Sequence, residues 1–259
     1  MYAFEFERPG SVADAVAALK DEDAVALGGG QTLIPTLKQR LASPSALVSL
    51  GGIAELKGIS QEGDVVVIGG GTCHADVAAD GSIPALSALA GGIGDPAVRN
   101  RGTIGGSLAN NDPAACYPAA TLAMGATIVT NTLEIAADDY FTGMFDTALD
   151  EGEIITAVRF PKPAAAYYQK FDQPASRFAL VGVCVAKTAE GVRVAVTGAG
   201  DDGVFRWSEA EEALNSNFSA DALDGMAPSA DGMMSDLHGG ADYRAHLVGV
   251  MTRRAVAAC

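Results

Sequence analysis

Two glycine clusters hold the residues of this chain whose types and spacing could do chemistry. One is ALGGGQTLIP at residues 26–35, and the other is GTIGGSLANNDPAACYP at residues 102–118. Glycine lets a backbone approach a ligand with no Cβ in the way. Donor side chains stand beside each cluster: Gln31 and Thr32 in the first; Thr103, Ser107, Asn110 and Asn111 in the second. Consecutive backbone N–H groups make an anion-binding concavity. Two such loops can hold the pyrophosphate of a dinucleotide between them. Taken singly, each has a plainer reading. GGG after a strand can be a tight turn, and TIGGS can be a β-bulge or a hairpin corner. GGG also lacks the G-x-G-x-x-G spacing of a Rossmann fingerprint.

The elements that must position these loops show in the patterning. Ser11 and Asp14 read as a capping pair for a helix carrying Val12, Val16 and Leu19. Ala24–Leu27 reads as a buried strand ending at the glycines, with a helix through Leu37–Leu41 and another strand at Ala46–Leu50. That is a βαβ rhythm with a glycine turn. Residues 56–69 read as a hairpin, Thr72 as the cap of a helix over 74–79, and Pro84–Ala90 as a further helix. Residues 91–112 read as a long irregular loop, the kind usually kept for function. Leu122–Thr130 reads as helix then strand. Pro161 and Pro163 mark a domain junction. Beyond it, YYQKF, FALVGVCVAKT and GVRVAVTGA predict an antiparallel sheet, and Ser208 with Glu211 a capping box. Tyr243–Ala258 predicts a final amphipathic helix with its arginines on the polar face. There is no internal repeat.

Composition limits the partners. The 259 residues suffice for one large or two ordinary domains. A formal charge of −15 argues against nucleic acid or anionic membrane. No stretch approaches a transmembrane span, and MYAFEFERPG has no signal-peptide pattern, so a soluble, cytoplasmic protein is expected. Cys73, Cys116, Cys184 and Cys259 are scattered without a C-x-x-C pair, so iron–sulfur ligation is not expected. His74, His238 and His246 are too dispersed for a metal triad. Trp207 reads as a packing residue. Asp138, Asp139, Glu211 and Glu212 read as solvated faces.

Five segments occur in order: ALGGGQTLIPTLKQRL, RNRGTIGGSLANNDPAA, FDTALDEGEIITAVRFP, YQKFDQPASRFALVGVCVA and DLHGGADYRAHLVGVMTRRAV. Together they resemble the medium, FAD-binding subunit of the molybdenum hydroxylases, the carbon monoxide dehydrogenase and xanthine dehydrogenase family. The resemblance runs nearly end to end. It implies an α+β fold: an FAD-binding domain of the p-cresol methylhydroxylase type over residues 1–162, with lobes of about 1–55 and 56–162. A smaller C-terminal α+β domain, an antiparallel sheet with helices, would follow over 163–259.

The resemblance also implies a site. Leu27, Gly28, Gly29, Gly30, Gln31 and Thr32 would bind FAD, the last four at the pyrophosphate. Thr103, Gly105, Gly106 and Ser107 would form the second phosphate loop, with Asn110 and Asp112 after it. Ile155 would lie near the flavin, Lys170 near the isoalloxazine, and Phe178 over that ring system. An ordinary core aromatic remains the other reading of Phe178. Many relatives place a cofactor-contacting Asp where this chain has Cys116. Asp112, Asn111 or water would then take that contact, or affinity would be weaker. His74 could suggest covalent flavin attachment, but relatives of this subunit bind FAD non-covalently, and a helix-start histidine is the favoured reading.

In function, the resemblance implies electron relay. The substrate-oxidising molybdenum–pterin centre would sit in a large partner subunit and two [2Fe–2S] clusters in a small one, as a dimer of heterotrimers. FAD would pass the electrons to an external acceptor. Two alternatives stay open: a scaffold that binds flavin weakly or not at all, and a stand-alone flavoprotein dehydrogenase.

Overall fold

The computed structural model describes residues 1–259, and it folds as α+β. The first lobe is small. β1 (Glu5–Glu7), β2 (Ala24–Leu27) and β3 (Ala46–Ser49) form a parallel sheet in the order β1-β3-β2. α1 (Val12–Ala18) precedes β2, and the Ser11 hydroxyl accepts from Asp14 N at its start. α2 (Leu33–Lys38) crosses over between β2 and β3. It begins at Leu33, after Gln31 and Thr32, rather than at Leu37, and it stops where Arg40 takes φ +62°.

The second lobe is built on an antiparallel sheet. Its strands are β4 (Ile59–Glu62), β5 (Val65–Gly69), β6 (Thr127–Thr130), β7 (Glu134–Ala136) and a later strand at Ile155–Pro161. That later strand sits centrally, between β5 and β6. Val66, Ile68, Ile128, Val158 and Phe160 all point into one core. Period-two burial along β5 and β6 is the alternation of a sheet wet on one face.

α3 (His74–Asp80), α4 (Pro84–Gly91), α5 (Pro96–Arg99), α6 (Ile104–Asn110), α7 (Tyr117–Ala123) and α8 (Ala137–Tyr140) pack around this sheet. Two expectations change here. Thr72 is not the cap of α3; its hydroxyl accepts from Gly58 N and donates to Gly58 O instead. Residues 91–112 are not a continuous loop, because α5 and α6 lie within them. Propensity hides α6, since two glycines fall in its first turn. Packing overrides propensity. A Cβ on Gly105 would stand 2.6 Å from Gly70 O, so the helix needs glycine to lie on that backbone.

A short hairpin, β8 (Phe141–Gly143) with β9 (Asp146–Thr147), precedes the central strand, numbered β10. The chain then enters a four-stranded antiparallel meander: β11 (Ala165–Asp172), β12 (Ala179–Thr188), β13 (Gly191–Gly200) and β14 (Gly203–Arg206). β12 and β13 are buried on both faces. Val181, Val183, Val185, Val194 and Val196 enter a core shared with α9 (Ser208–Ser216) and α10 (Ala241–Ala258). Cys184, Ala186 and Ala195 enter the core of the second lobe. Bulky residues on one face and small ones on the other let helices pack on one side and the first domain on the other.

Two polar expectations are corrected. Glu211 is not a solvated face, whereas Asp138 is exposed as expected and is also ion-paired. Asp138 accepts two hydrogen bonds from Arg193, at 2.6 and 2.7 Å. Glu211 is buried and accepts from Val194 N and Arg206, so it closes no capping box with Ser208. Arg244 is not on a polar face. It is buried, donating to Leu180 O and Gly198 O and pairing with Asp236. Trp207 is buried in the C-terminal core.

Candidate functional site

The loop from Gly28 to Leu33 links β2 to α2. None of its backbone N–H groups has an acceptor within the protein. Gly30 takes φ +72°, a conformation that side-chain-bearing residues adopt at a cost. Gly29 lies against the second loop. A Cβ there would overlap Arg101 O and stand 2.6 Å from Gly102 Cα. The two glycine clusters therefore meet backbone to backbone.

The second loop contributes differently from what the sequence suggested. Its amides are mostly spent within the fold. Ile104 N donates to Thr72 O, Gly105 N to Gly70 O, Gly106 N to the Thr103 hydroxyl, and Ser107 N to Thr103 O. What this segment offers a ligand is a glycine wall and the side chains of Ser107 and Asn110. The unbroken run of free amide donors belongs to the first loop.

Both loops open on one cleft of about 730 Å³. Leu27, Gly28, Gly29, Gly30, Gln31, Thr32, Thr103, Gly105, Gly106, Ser107, Asn110, Asp112, Ile155 and Phe178 all line it. Phe178 is 54% exposed, which excludes the core-aromatic reading. Lys170 is the exception. Its side chain is only 8% exposed, and Nζ is occupied behind the cleft wall by Gly92 O, Arg177 O and Asp172.

The wall also contains residues the sequence reading did not single out. Ile93 and Gly94 line it, as do Lys57, Arg101 and Arg177. The signal for the first two was present, in the glycine and proline density of 91–96. The cations carried none. Against these three cations stand Asp112 and Glu153, so the lining is slightly positive in a chain of charge −15. That contrast suits a bound small anion.

Cys116 lines the cleft and is buried. Burial pushes its thiol up, against the charge of Lys170. One carboxylate oxygen of Asp112 accepts from Ala114 N at 2.8 Å and shapes the turn. His74 lies at the start of α3 with its ring 5.3 Å from that of Tyr117. Its Nδ1 is buried without a partner. Burial, with the nearby charge of Arg99, lowers its pKa to about 4, so it is neutral at physiological pH. No group of three or more His, Cys, Asp or Glu could hold a metal ion.

Residues 2–163 match the family described as the FAD binding domain in molybdopterin dehydrogenase. Residues 166–259 match the CO dehydrogenase flavoprotein C-terminal domain. The chain belongs to the molybdopterin dehydrogenase flavoprotein family. It is 37% identical to the carbon monoxide dehydrogenase medium chain of Afipia carboxidovorans, over 98% of this chain and 96% of that one. It is 35% identical to the nicotine 6-hydroxylase medium subunit of Paenarthrobacter nicotinovorans, with the same coverage of both. Its fold superimposes on a chain of the reconstituted CO dehydrogenase from Oligotropha carboxidovorans with a TM-score of 0.89. That match covers 99% of this chain and 97% of the other at 34% identity.

This flavoprotein is thus an FAD-binding subunit of an oxidoreductase, of the kind found in molybdenum hydroxylases. The cleft fits FAD chemically. A run of unpartnered amides suits the diphosphate, and glycines admit it closely. No helix is long and apolar enough to cross a membrane.

Proposed function

We propose that this chain is the electron-transfer subunit of a molybdenum-containing hydroxylase or dehydrogenase. It takes electrons from [2Fe–2S] clusters of a small partner subunit and delivers them to an external acceptor. A large partner subunit holds the molybdenum–pterin centre, and the assembly is a cytoplasmic dimer of heterotrimers. The observation that carries this reading is the cleft itself: one run of free amides, from Gly28 to Leu33, in a chain matched from end to end by the flavoprotein family. Bound FAD supplies the exchange between single-electron and two-electron transfer.

The chain's own residues bind and orient. The amides of Gly28–Leu33 hold the pyrophosphate, with Gln31 and Thr32 beside them. Thr103, Gly105, Gly106 and Ser107 form the opposing wall, and Asn110 and Asp112 extend it. Leu27, Ile155 and Phe178 provide apolar contact and exclude water. Lys170 acts from behind the wall rather than on the flavin directly. His74, neutral and buried, serves packing, and the FAD is non-covalent.

Two measurements test this. Acid precipitation of the purified protein is expected to release FAD into the supernatant; flavin in the pellet would restore His74 as an attachment point. Purification from native extract is expected to bring an iron–sulfur subunit and a molybdenum subunit with the chain. A chain that elutes alone and turns over a substrate unaided would defeat the proposal.

A further inference from the structure

Three successive carbonyls, Gly92, Ile93 and Gly94, follow α4 and lead into the cleft wall. Each receives a cationic donor. Lys170 Nζ donates to Gly92 O at 2.8 Å. Arg99 donates to Ile93 O and Gly94 O, both at 2.9 Å. Arg99 belongs to the same domain as the loop it holds, whereas Lys170 comes from β11 of the C-terminal domain. The same Nζ donates to Arg177 O at 2.8 Å. Arg177 has φ +61°, so its peptide needs outside support to stay where it is. The next residue is Phe178, more than half exposed on the cleft.

One buried ammonium group thus ties, through two 2.8 Å hydrogen bonds, two segments of the cleft wall whose other charged contact is a longer one, from the Arg177 guanidinium to Gly94 O at 3.5 Å. We infer that Lys170 is a positioning residue: it fixes the Gly92–Gly94 loop and the Arg177–Phe178 turn relative to each other, and so sets the cleft where the two domains meet. A lysine suits this task because its three donors leave a single point in different directions. Asp172 at 2.9 Å takes the third and balances the charge. Cofactor affinity would therefore depend on the C-terminal domain through a residue that need not touch the cofactor. The affinity part rests on the FAD reading above; the backbone part does not.

The amides of Gly92, Ile93 and Arg177 are hydrogen-bonded, so their hydrogen exchange reports on both segments. In the full chain without FAD, Lys170→Met is expected to speed exchange at all three by about tenfold. FAD titration of the same variant is expected to show Kd raised by about tenfold. Lys170→Arg, which keeps charge and donors, is expected to recover part of both effects. Should Lys170→Met fail to fold, Lys170→Gln carries the same comparison. Unchanged exchange with a shifted flavin potential would mean a lysine acting only by its charge and would overturn the inference. Wild-type protein that binds no FAD would instead overturn the cofactor reading, and the exchange result would still decide the role of Lys170.

Discussion

Gly29 has no room for even a methyl group. Its Cβ would overlap Arg101 O, a backbone atom that cannot swing aside. Gly29→Ala is therefore expected to separate the two glycine loops and lower FAD affinity at least tenfold while the domain cores stay folded. Equilibrium dialysis with FAD, alongside far-UV circular dichroism, checks both halves of that statement. His74 makes a second prediction at this scale. Its pKa falls from an ordinary 6.5 to about 4 because burial and then Arg99 disfavour the charged form. The unfolded chain therefore takes up the proton first. The contribution to stability is complete above pH 6.5 and is lost as pH falls from there to about 4. The loss is on the order of 3 kcal/mol. Urea unfolding at a series of pH values is expected to show this slope in wild type and a shallower one in His74→Gln.

At the scale of elements, α6 matters most to the site. It starts at Thr103, whose hydroxyl accepts from Gly106 N at 3.1 Å. Its far end is Asn111, left-handed at φ +40° and buried, with its side-chain amide donating to Gly143 O and Asp146 O. The helix is therefore fixed at both ends, one at the cleft and the other at the β8–β9 hairpin. Thr103→Ala removes the cap, at a cost of about 1 kcal/mol. The same change frees Gly106 N beside the cleft. The expected result is a small fall in the unfolding midpoint together with weaker FAD binding, whereas Thr103→Ser keeps both close to wild type.

The whole molecule is held by a sheet with two different faces and by a charge network across the domain junction. Asp138, from α8, pairs with Arg193 and Arg206, and Arg206 also holds Glu211. Burial would raise the Asp138 carboxyl, but the Arg193 hydrogen bonds and the two guanidinium charges hold it below its usual range. Arg193 is nearly buried, so it has little water to replace a lost carboxylate. Asp138→Asn is expected to cost about 1–2 kcal/mol, allowing for the half-exposed carboxylate. The check is chemical denaturation at pH 7, with an Arg193→Met, Asp138→Asn double mutant to separate the pair's own energy from the cost of the buried charge. A wild-type midpoint in Asp138→Asn would mean that the apolar faces of β12 and β13 alone dock the domains.

What the sequence by itself determined was local. Glycine spacing located both loops, because a missing Cβ is written in the residue type. Ser11, the β5 alternation and the β11–β13 meander were legible because capping and period-two burial depend on near neighbours. The five ordered motifs carried the family. What only the tertiary structure decided were long-range choices. α6 forms despite two glycines because Gly70 lies across it. The amides of Ile104–Ser107 are spent on Gly70, Thr72 and Thr103, so the unbroken six-residue run of free donors belongs to the first loop. Asp138, Glu211 and Arg244 look solvent-bound in sequence, yet each finds its partner on an element distant in the chain or one buried around it. Lys170 shows the same limit most sharply. Its residue type says cation, but its place behind the cleft is set by how β11 docks against the first domain, because the carbonyl it binds there belongs to a residue far away in the chain.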